Sequence, residues 1–277
     1  MTGPIRTLHV AAAQIHSGGT IDENLDRIAC QARQAAIAGA DVLLVAEVAM
    51  QGYDYDMTRE AVEAAAVSVD SPPCDRVVDL AAELGIVLLV GFLERAQDAL
   101  YNSVLVAWPN GTREAARKHM LTDGETGAGL VPGDRDRLVI EINGVRIALI
   151  ICADGGLEGL AEMLKQKRAD VRFCPTGGGG KMADMLHEDE LLTEEGRRKN
   201  AENRPRVFKT EAIVTGDDSS VKSFVSANAL GPVGEATCHQ GHCMIVDQDG
   251  VVRAQMPGTI VLEHQQDQMI HASLNFR

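Results

Sequence analysis

Three polar residues stand where apolar runs end. Glu47 closes the run in LLVAEVAMQGY, Lys118 lies in AARKHMLTDGE, and Cys152 follows ALII in ALIICADGG. Each alone has an ordinary structural reading: a carboxylate that caps a helix or pairs with a base, a solvated lysine, a small buried thiol. Together, a carboxylate, an ammonium and a thiol at the ends of separate strands supply a general base, a stabiliser of developing negative charge and a nucleophile.

The elements that must carry them are legible from periodicity. LHVAAAQIH reads as a first buried strand and TIDENLDRIACQARQAAIAGA as a helix opened by a Thr20–Glu23 capping box. Its inner face is Leu25, Ile28, Ala29, Ala32 and Ala36, and Gly39 closes it. DVLLVAE follows at once, so the two strands pair in parallel. Residues 72–85 give a helix and IVLLVGFLER a strand; YNSVLVAWPNGTREAARKHM and LVIEINGVRIALIICAD then form hairpins, the second turning at Asn143-Gly144. Beyond Cys152 the pattern predicts a helix LEGLAEMLKQKRA, a strand VRFCPT and a polar helical segment over 183–212. The strands SFVSANAL and CMIVDQDGVVRA follow, the latter turning at Asp249-Gly250. No repeat or linker appears, so residues 1–277 are expected to form one α/β domain, helices covering a mixed sheet or two such sheets face to face.

A net charge of −14 argues against nucleic acid and anionic membrane partners, which need a basic footprint, and favours a small molecule. The N-terminus lacks an apolar segment of secretory type and no stretch is long enough to span a bilayer, which places the chain in the cytoplasm as an expectation. Six cysteines dispersed along the chain are expected to be reduced.

Glu47, Lys118 and Cys152 resemble, in order and spacing, the Glu-Lys-Cys triad of the nitrilase superfamily of carbon–nitrogen hydrolases. HVAAAQ, YNSVLVAWPNGTREAARKHML, VPGDRDRLVIEINGVRIALIICAD and HCMIVDQDGVVRA are similar to further segments of that family, so the resemblance covers nearly the whole chain. It implies a four-layer αββα sandwich of two mixed β-sheets. It also implies a cofactor-free, metal-free reaction in which Cys152 attacks a carbonyl or nitrile carbon and Glu47 moves the proton. Lys118 and the backbone N–H of Ala153 would stabilise the oxyanion. Glu125 stands near the family's accessory glutamate, Asp154 keeps the acid two residues after the cysteine, and the family's habit of stacking sandwiches implies a homodimer or larger assembly.

The chain also departs from the family. CADGGLEGL lacks the aromatic-Pro-Glu group that many relatives carry, and places Glu158 one position early. The chain's length suits amidase and carbamoylase branches better than true nitrilases. The expected activity is therefore thiol-dependent hydrolysis of a small linear amide or N-carbamoyl compound with release of ammonia. A nitrile-hydrolysing enzyme or a catalytically silent binding relative are the alternatives. Four glycines at 177–180 fail the phosphate-loop spacing at Pro175 and Met182 and read as a loop beside the site or a surface excursion. Arg197, Arg198, Arg204 and Arg206 read as a solvated face. CHQGHC (238–243) reads as a strand entrance rather than a zinc site, because alternation sends neighbouring ligands to opposite faces. Asn228 reads as a strand-end polar group.

Overall fold

The computed structural model describes residues 5–54, 57–134, 139–202 and 221–277. The first half runs β1 (Arg6–Gln14), α1 (Ile21–Ile37), β2 (Val42–Val45), α2 (Arg59–Ala65), α3 (Pro72–Leu84), β3 (Val87–Ala96), β4 (Ala99–Ala107), β5 (Arg113–Arg117) and α4 (Asp123–Gly127). The second half runs β6 (Val139–Ile142), β7 (Val145–Leu149), α5 (Leu160–Gln166), β8 (Val171–Thr176), β9 (Gly179–Lys181), β10 (Phe224–Asn228), β11 (Leu230–Val233), β12 (Thr237–Gln240), β13 (Cys243–Val246), β14 (Val252–Met256) and β15 (Gln268–Phe276).

Two six-stranded mixed sheets result, in the orders β15-β1-β2-β3-β4-β5 and β14-β13-β10-β8-β7-β6, with a small sheet β11-β12-β9 beside them. Strand alternation, hidden in the sequence because both faces are apolar, sorts side chains into separate layers. Leu8, Val10 and Ala12 of β1 and Val42 and Leu44 of β2 face the second sheet, meeting Ile147, Phe173, Val225 and Ile245. Their neighbours Ala11, Ala13, Leu43 and Val45 face Ile28, Ala32, Val77 and Ala81 of α1 and α3. On the far side Ala148 and Ile150 pack against Leu164 of α5. The αββα sandwich implied by the resemblance is thus the observed architecture. No helix of the described residues is long and apolar enough to cross a membrane.

Local signals account for the element ends. Thr20 and Glu23 form both halves of the capping box on α1, and Asn143 and Gly144 take positive φ (52° and 75°), as a type I′ turn requires. Three expectations are corrected. The helix after Cys152 is confined to Leu160–Gln166, because Gly155, Gly156 and Gly159 interrupt its N-terminal side and Gly159 takes a left-handed conformation. The segment expected to be helical over 183–212 breaks into 3-10 turns at Met182–Asp184 and Glu188–Leu192 before a helix over 194–202, and the rest of it lies outside the described residues. The C-terminal strand β15, antiparallel to β1 from Arg6↔Phe276 to Gln14↔Gln268, escaped the reading, since its partner lies at the other end of the sequence.

Gly91 on β3 has a specific packing reason. A Cβ there would lie 2.3 Å from the Ala46 carbonyl oxygen, 2.4 Å from the Val48 nitrogen and 2.8 Å from the Glu47 carbonyl carbon. All three are backbone atoms at the end of β2. Gly91→Ala is expected to destabilise the fold by about 1–3 kcal/mol through forced backbone displacement, read from the midpoint of denaturant unfolding; an unchanged midpoint would mean that β2 moves aside freely.

Candidate active site

The loop after β2 leaves Glu47 fully buried and puts Val48 at φ 49°, a left-handed conformation rare for a β-branched residue. Lys118 is one residue beyond β5, with its backbone N–H donated to the Asn102 carbonyl at 2.8 Å; it too is fully buried. Cys152 opens a 3-10 turn, Cys152–Gly156, directly after β7, at φ 45°. The apolar run is therefore strand up to Leu149, and the chain kinks at the thiol, which stays half-buried. Such strained conformations persist only where surrounding contacts impose them.

Among the sequence-predicted residues, Glu47, Lys118 and Glu125 meet directly. Lys118 Nζ donates to Glu47 Oε1 at 2.7 Å and to Glu125 Oε1 and Oε2 at 2.9 Å each. Glu125 is fixed as the third residue of a capping box: Thr122 Oγ1 accepts its backbone N–H, and its Oε2 accepts the Thr122 N–H at 2.8 Å. The Cys152 thiol faces this group electrostatically. Burial pushes it well above the ordinary thiol range and Glu47 adds to the rise, while Lys118 and the Gly177 N–H pull it down in part. Burial alone would lower Lys118; Glu47, Cys152 and Glu125 outweigh that and hold it above the usual lysine value, so it is an ammonium.

Asp154 does not reach Lys118 Nζ. Its Oδ1 instead accepts the backbone N–H groups of His119 (2.9 Å) and Met120 (2.7 Å), and its Oδ2 accepts that of Ile151 (3.2 Å). One buried carboxylate thus ties the chain after the lysine to the chain before the cysteine. Ala153 follows Cys152 in the same turn, half-buried.

Four more residues join the site: Asn102 and Tyr53 escaped the sequence reading, while Gly177 and His239 belong to stretches for which a place near the site was one reading. Asn102 bridges Glu47 and Glu125 through its Nδ2, at 2.7 and 2.5 Å. The Gly177 N–H donates to Glu47 Oε2 at 2.6 Å, where a Cβ would lie 3.0 Å from that oxygen and 2.9 Å from the Tyr53 ring. Tyr53 places its ring 5.7 Å from Lys118 Nζ. His239 is buried, pairs through Nε2 with the Tyr53 carbonyl at 2.6 Å and lies against Gly179. The only signals were the tetraglycine, which marks close backbone approach, and the histidine of CHQGHC. The glycine loop therefore lines the site, held by Asn228, whose Nδ2 donates to the carbonyls of Gly178 and Gly241. In CHQGHC, Cys243 enters the inter-sheet core while Cys238 packs with Met185 and Ile260. Arg197 bonds the carbonyls of Leu191 and Leu192, and Arg198 pairs with Glu195 and Glu202 at the surface; Arg204 and Arg206 lie outside the described residues.

An open depression of about 420 Å³ lies nearby, although none of Glu47, Lys118, Glu125 and Cys152 lines it. Its walls are the residues that follow the chemical ones: His119 and Met120 after Lys118, Thr126 after Glu125, and Gly156, Leu157 and Glu158 after Cys152. Asp154→Ala is expected to cost about 3 kcal/mol, because three backbone donors lose a charged acceptor, with Asp154→Asn milder; equal unfolding midpoints for Asp154→Ala and the parent protein would show that the tie carries no load.

The model of the carbon–nitrogen hydrolase family matches residues 9–260. N-carbamoylputrescine amidase of Solanum tuberosum is 30% identical over 185 residues, spanning 65% of this chain and 61% of that protein. The match thus covers about six-tenths of that relative's length. A Mycobacterium tuberculosis protein named as a hydrolase is 27% identical over 278 residues, covering 94% and 96% of the two chains. Among solved structures, a CN-hydrolase superfamily protein from Xanthomonas campestris with an arsenic adduct in its active site aligns with TM-score 0.71 at 16% identity, over 96% of this chain and 90% of that one. A mutant amidase from Nesterenkonia sp., showing Michael addition of acrylamide at its active-site cysteine, aligns with TM-score 0.67 at 18% identity, over 95% and 92%. These structural likenesses support the fold; the family-model match over nine-tenths of the sequence supports more, and the chain belongs to the carbon–nitrogen hydrolase family.

Proposed function

We propose that this protein hydrolyses the C–N bond of a small linear amide or N-carbamoyl compound through a thioester on Cys152. The observation that carries the reading is the buried Glu47–Lys118–Glu125 cluster set against a half-buried thiol on a strained turn. Cys152 Sγ attacks the carbonyl carbon while Glu47 takes the thiol proton, so a protonated thiol in the resting protein suits a concerted base. Lys118 and the Ala153 N–H face the oxygen as negative charge develops. The C–N bond then breaks, ammonia leaves with the proton from Glu47, and water adds to the thioester with Glu47 again as base, releasing the acid and the free thiol. Neither step needs a cofactor.

The nearby depression would hold the rest of the substrate. Apolar walls with Glu158 among them suit an alkyl chain carrying a positive end, and relatives named N-carbamoylputrescine amidase are consistent with that. A homodimer or larger assembly is part of the same proposal.

Two measurements test the reading. Ammonia release from a panel of amides, N-carbamoyl compounds and nitriles, each with cationic, neutral and anionic tails, is expected for an amide or carbamoyl member. Cys152→Ala is expected to abolish both turnover and the acyl adduct seen by intact mass; turnover that survives the substitution removes Cys152 as nucleophile. Because the thiol is held above its usual value of 9.0, its alkylation by iodoacetamide is expected to keep accelerating beyond pH 9. A rate already level at neutral pH would mean a preformed thiolate.

A further inference from the structure

Asn102 touches all three charged members of the cluster, Glu47, Lys118 and Glu125. It sits on β4 opposite Leu93, and its side chain is 1% exposed. Its carbonyl accepts the Lys118 backbone N–H at 2.8 Å, while Nδ2 donates to Glu47 Oε1 at 2.7 Å and Glu125 Oε1 at 2.5 Å. Its Oδ1 is buried with no partner among the described residues. An orphaned buried acceptor is destabilising, so the position favours the amide nitrogen at the expense of stability.

The reason lies in the hydrogens of Lys118. An ammonium has three, and the Nζ of Lys118 makes three contacts, all to carboxylate oxygens: Glu47 Oε1, Glu125 Oε1 and Glu125 Oε2. In the resting protein no lysine hydrogen is left over for a reacting oxygen. Two of those three oxygens, Glu47 Oε1 and Glu125 Oε1, are the ones Asn102 also holds. Glu47 Oε2 has the Gly177 N–H, and Glu125 Oε2 has the Thr122 N–H. Every carboxylate oxygen therefore keeps a donor when the lysine lets go.

We infer that Asn102 is a positioning residue that holds Glu47 and Glu125 while Lys118 transfers a hydrogen bond from a carboxylate to the substrate's developing oxyanion. The inference rests on the hydrolase reading. An amide suits the task because it offers two N–H donors without adding charge. An aspartate would put a third carboxylate against two, and a leucine would leave Lys118 as the shared side-chain donor of both glutamates. The other titratable groups facing Glu47 are Cys152 and Cys174 on the second sheet and Tyr53 on its own loop.

The test compares Asn102→Leu and Asn102→Ser with the parent protein on whichever panel member turns over. Asn102→Leu is expected to lower kcat by about ten- to a hundredfold with KM changed by less than about threefold, since the lost interaction acts in the transition state. The pH profile of kcat/KM should move as well, because Glu47 and Glu125 lose the shared donor that fixes them around Lys118. Asn102→Ser, smaller and able to donate once, should recover part of the loss and guards against a leucine variant that does not fold. Cys152 alkylation against pH, which needs no turnover, is a second readout and should shift with the placement of Glu47, whose charge raises the thiol. If no substrate turns over but the alkylation profile shifts, the hydrolase reading fails and the role of Asn102 as holder of the carboxylates stands. A folded Asn102→Leu with kcat within about twofold of the parent, or with both pH profiles unmoved, overturns the proposal.

Discussion

The structure is organised around the cost of burying Lys118, Glu47 and Glu125 together. With one cation and two anions, the cluster carries a net negative charge where water is excluded, and an ion pair in such a place is stabilising only if every remaining lone pair finds a donor. The lysine cannot serve four carboxylate oxygens alone. The deficit is met by backbone N–H groups from Gly177, just after β8 of the second sheet, and Thr122 at the start of α4, and by one side-chain amide. Each donor comes from a different element, so the cluster is satisfied only when the sheets are docked in register. It acts as a lock on their relative position as well as a store of reactive groups.

Strain is distributed around the same point. Val48 and Cys152 both adopt left-handed backbone, one immediately after Glu47 and the other at the thiol itself. Each ends a strand and turns the chain so that a side chain leaves the sheet's alternation and faces the inter-sheet space. The contacts that enforce these turns are backbone ones: Gly91 lies flush against the Ala46–Val48 stretch, and Asp154 gathers amides on both sides of the site. Such a site depends on precise main-chain positions, so damage to it comes from added atoms and lost acceptors as much as from loss of the reactive groups themselves.

Much of this was legible in the sequence, for identifiable reasons. Glu47 and Cys152 stood out because each follows an apolar run, Lys118 only in company with them as a cation at a strand end, and a hairpin announced itself at Asn143-Gly144. Apolar runs with both faces buried could not say which residues face which layer, since only packing separates Leu43 from Leu44. Asn102 was invisible because an asparagine within YNSVLVAW looks like a polar position on a half-exposed strand; its value comes from Glu47 and Glu125, 55 and 23 residues away in sequence. The helix expected after Cys152 gave way to glycines, and β15 was missed because its burial is one-sided and its partner is at the far end of the chain.

That last pairing bears on how the protein is made. β1 is synthesised early and takes β2 as one neighbour soon afterwards, but its other edge waits for residues that emerge some 250 positions later. During that interval the ribosome presents an apolar strand with unpaired main-chain groups, a surface prone to association with other nascent chains. The delay also orders events: β2, which delivers Glu47, lies next to a strand whose far edge is closed last.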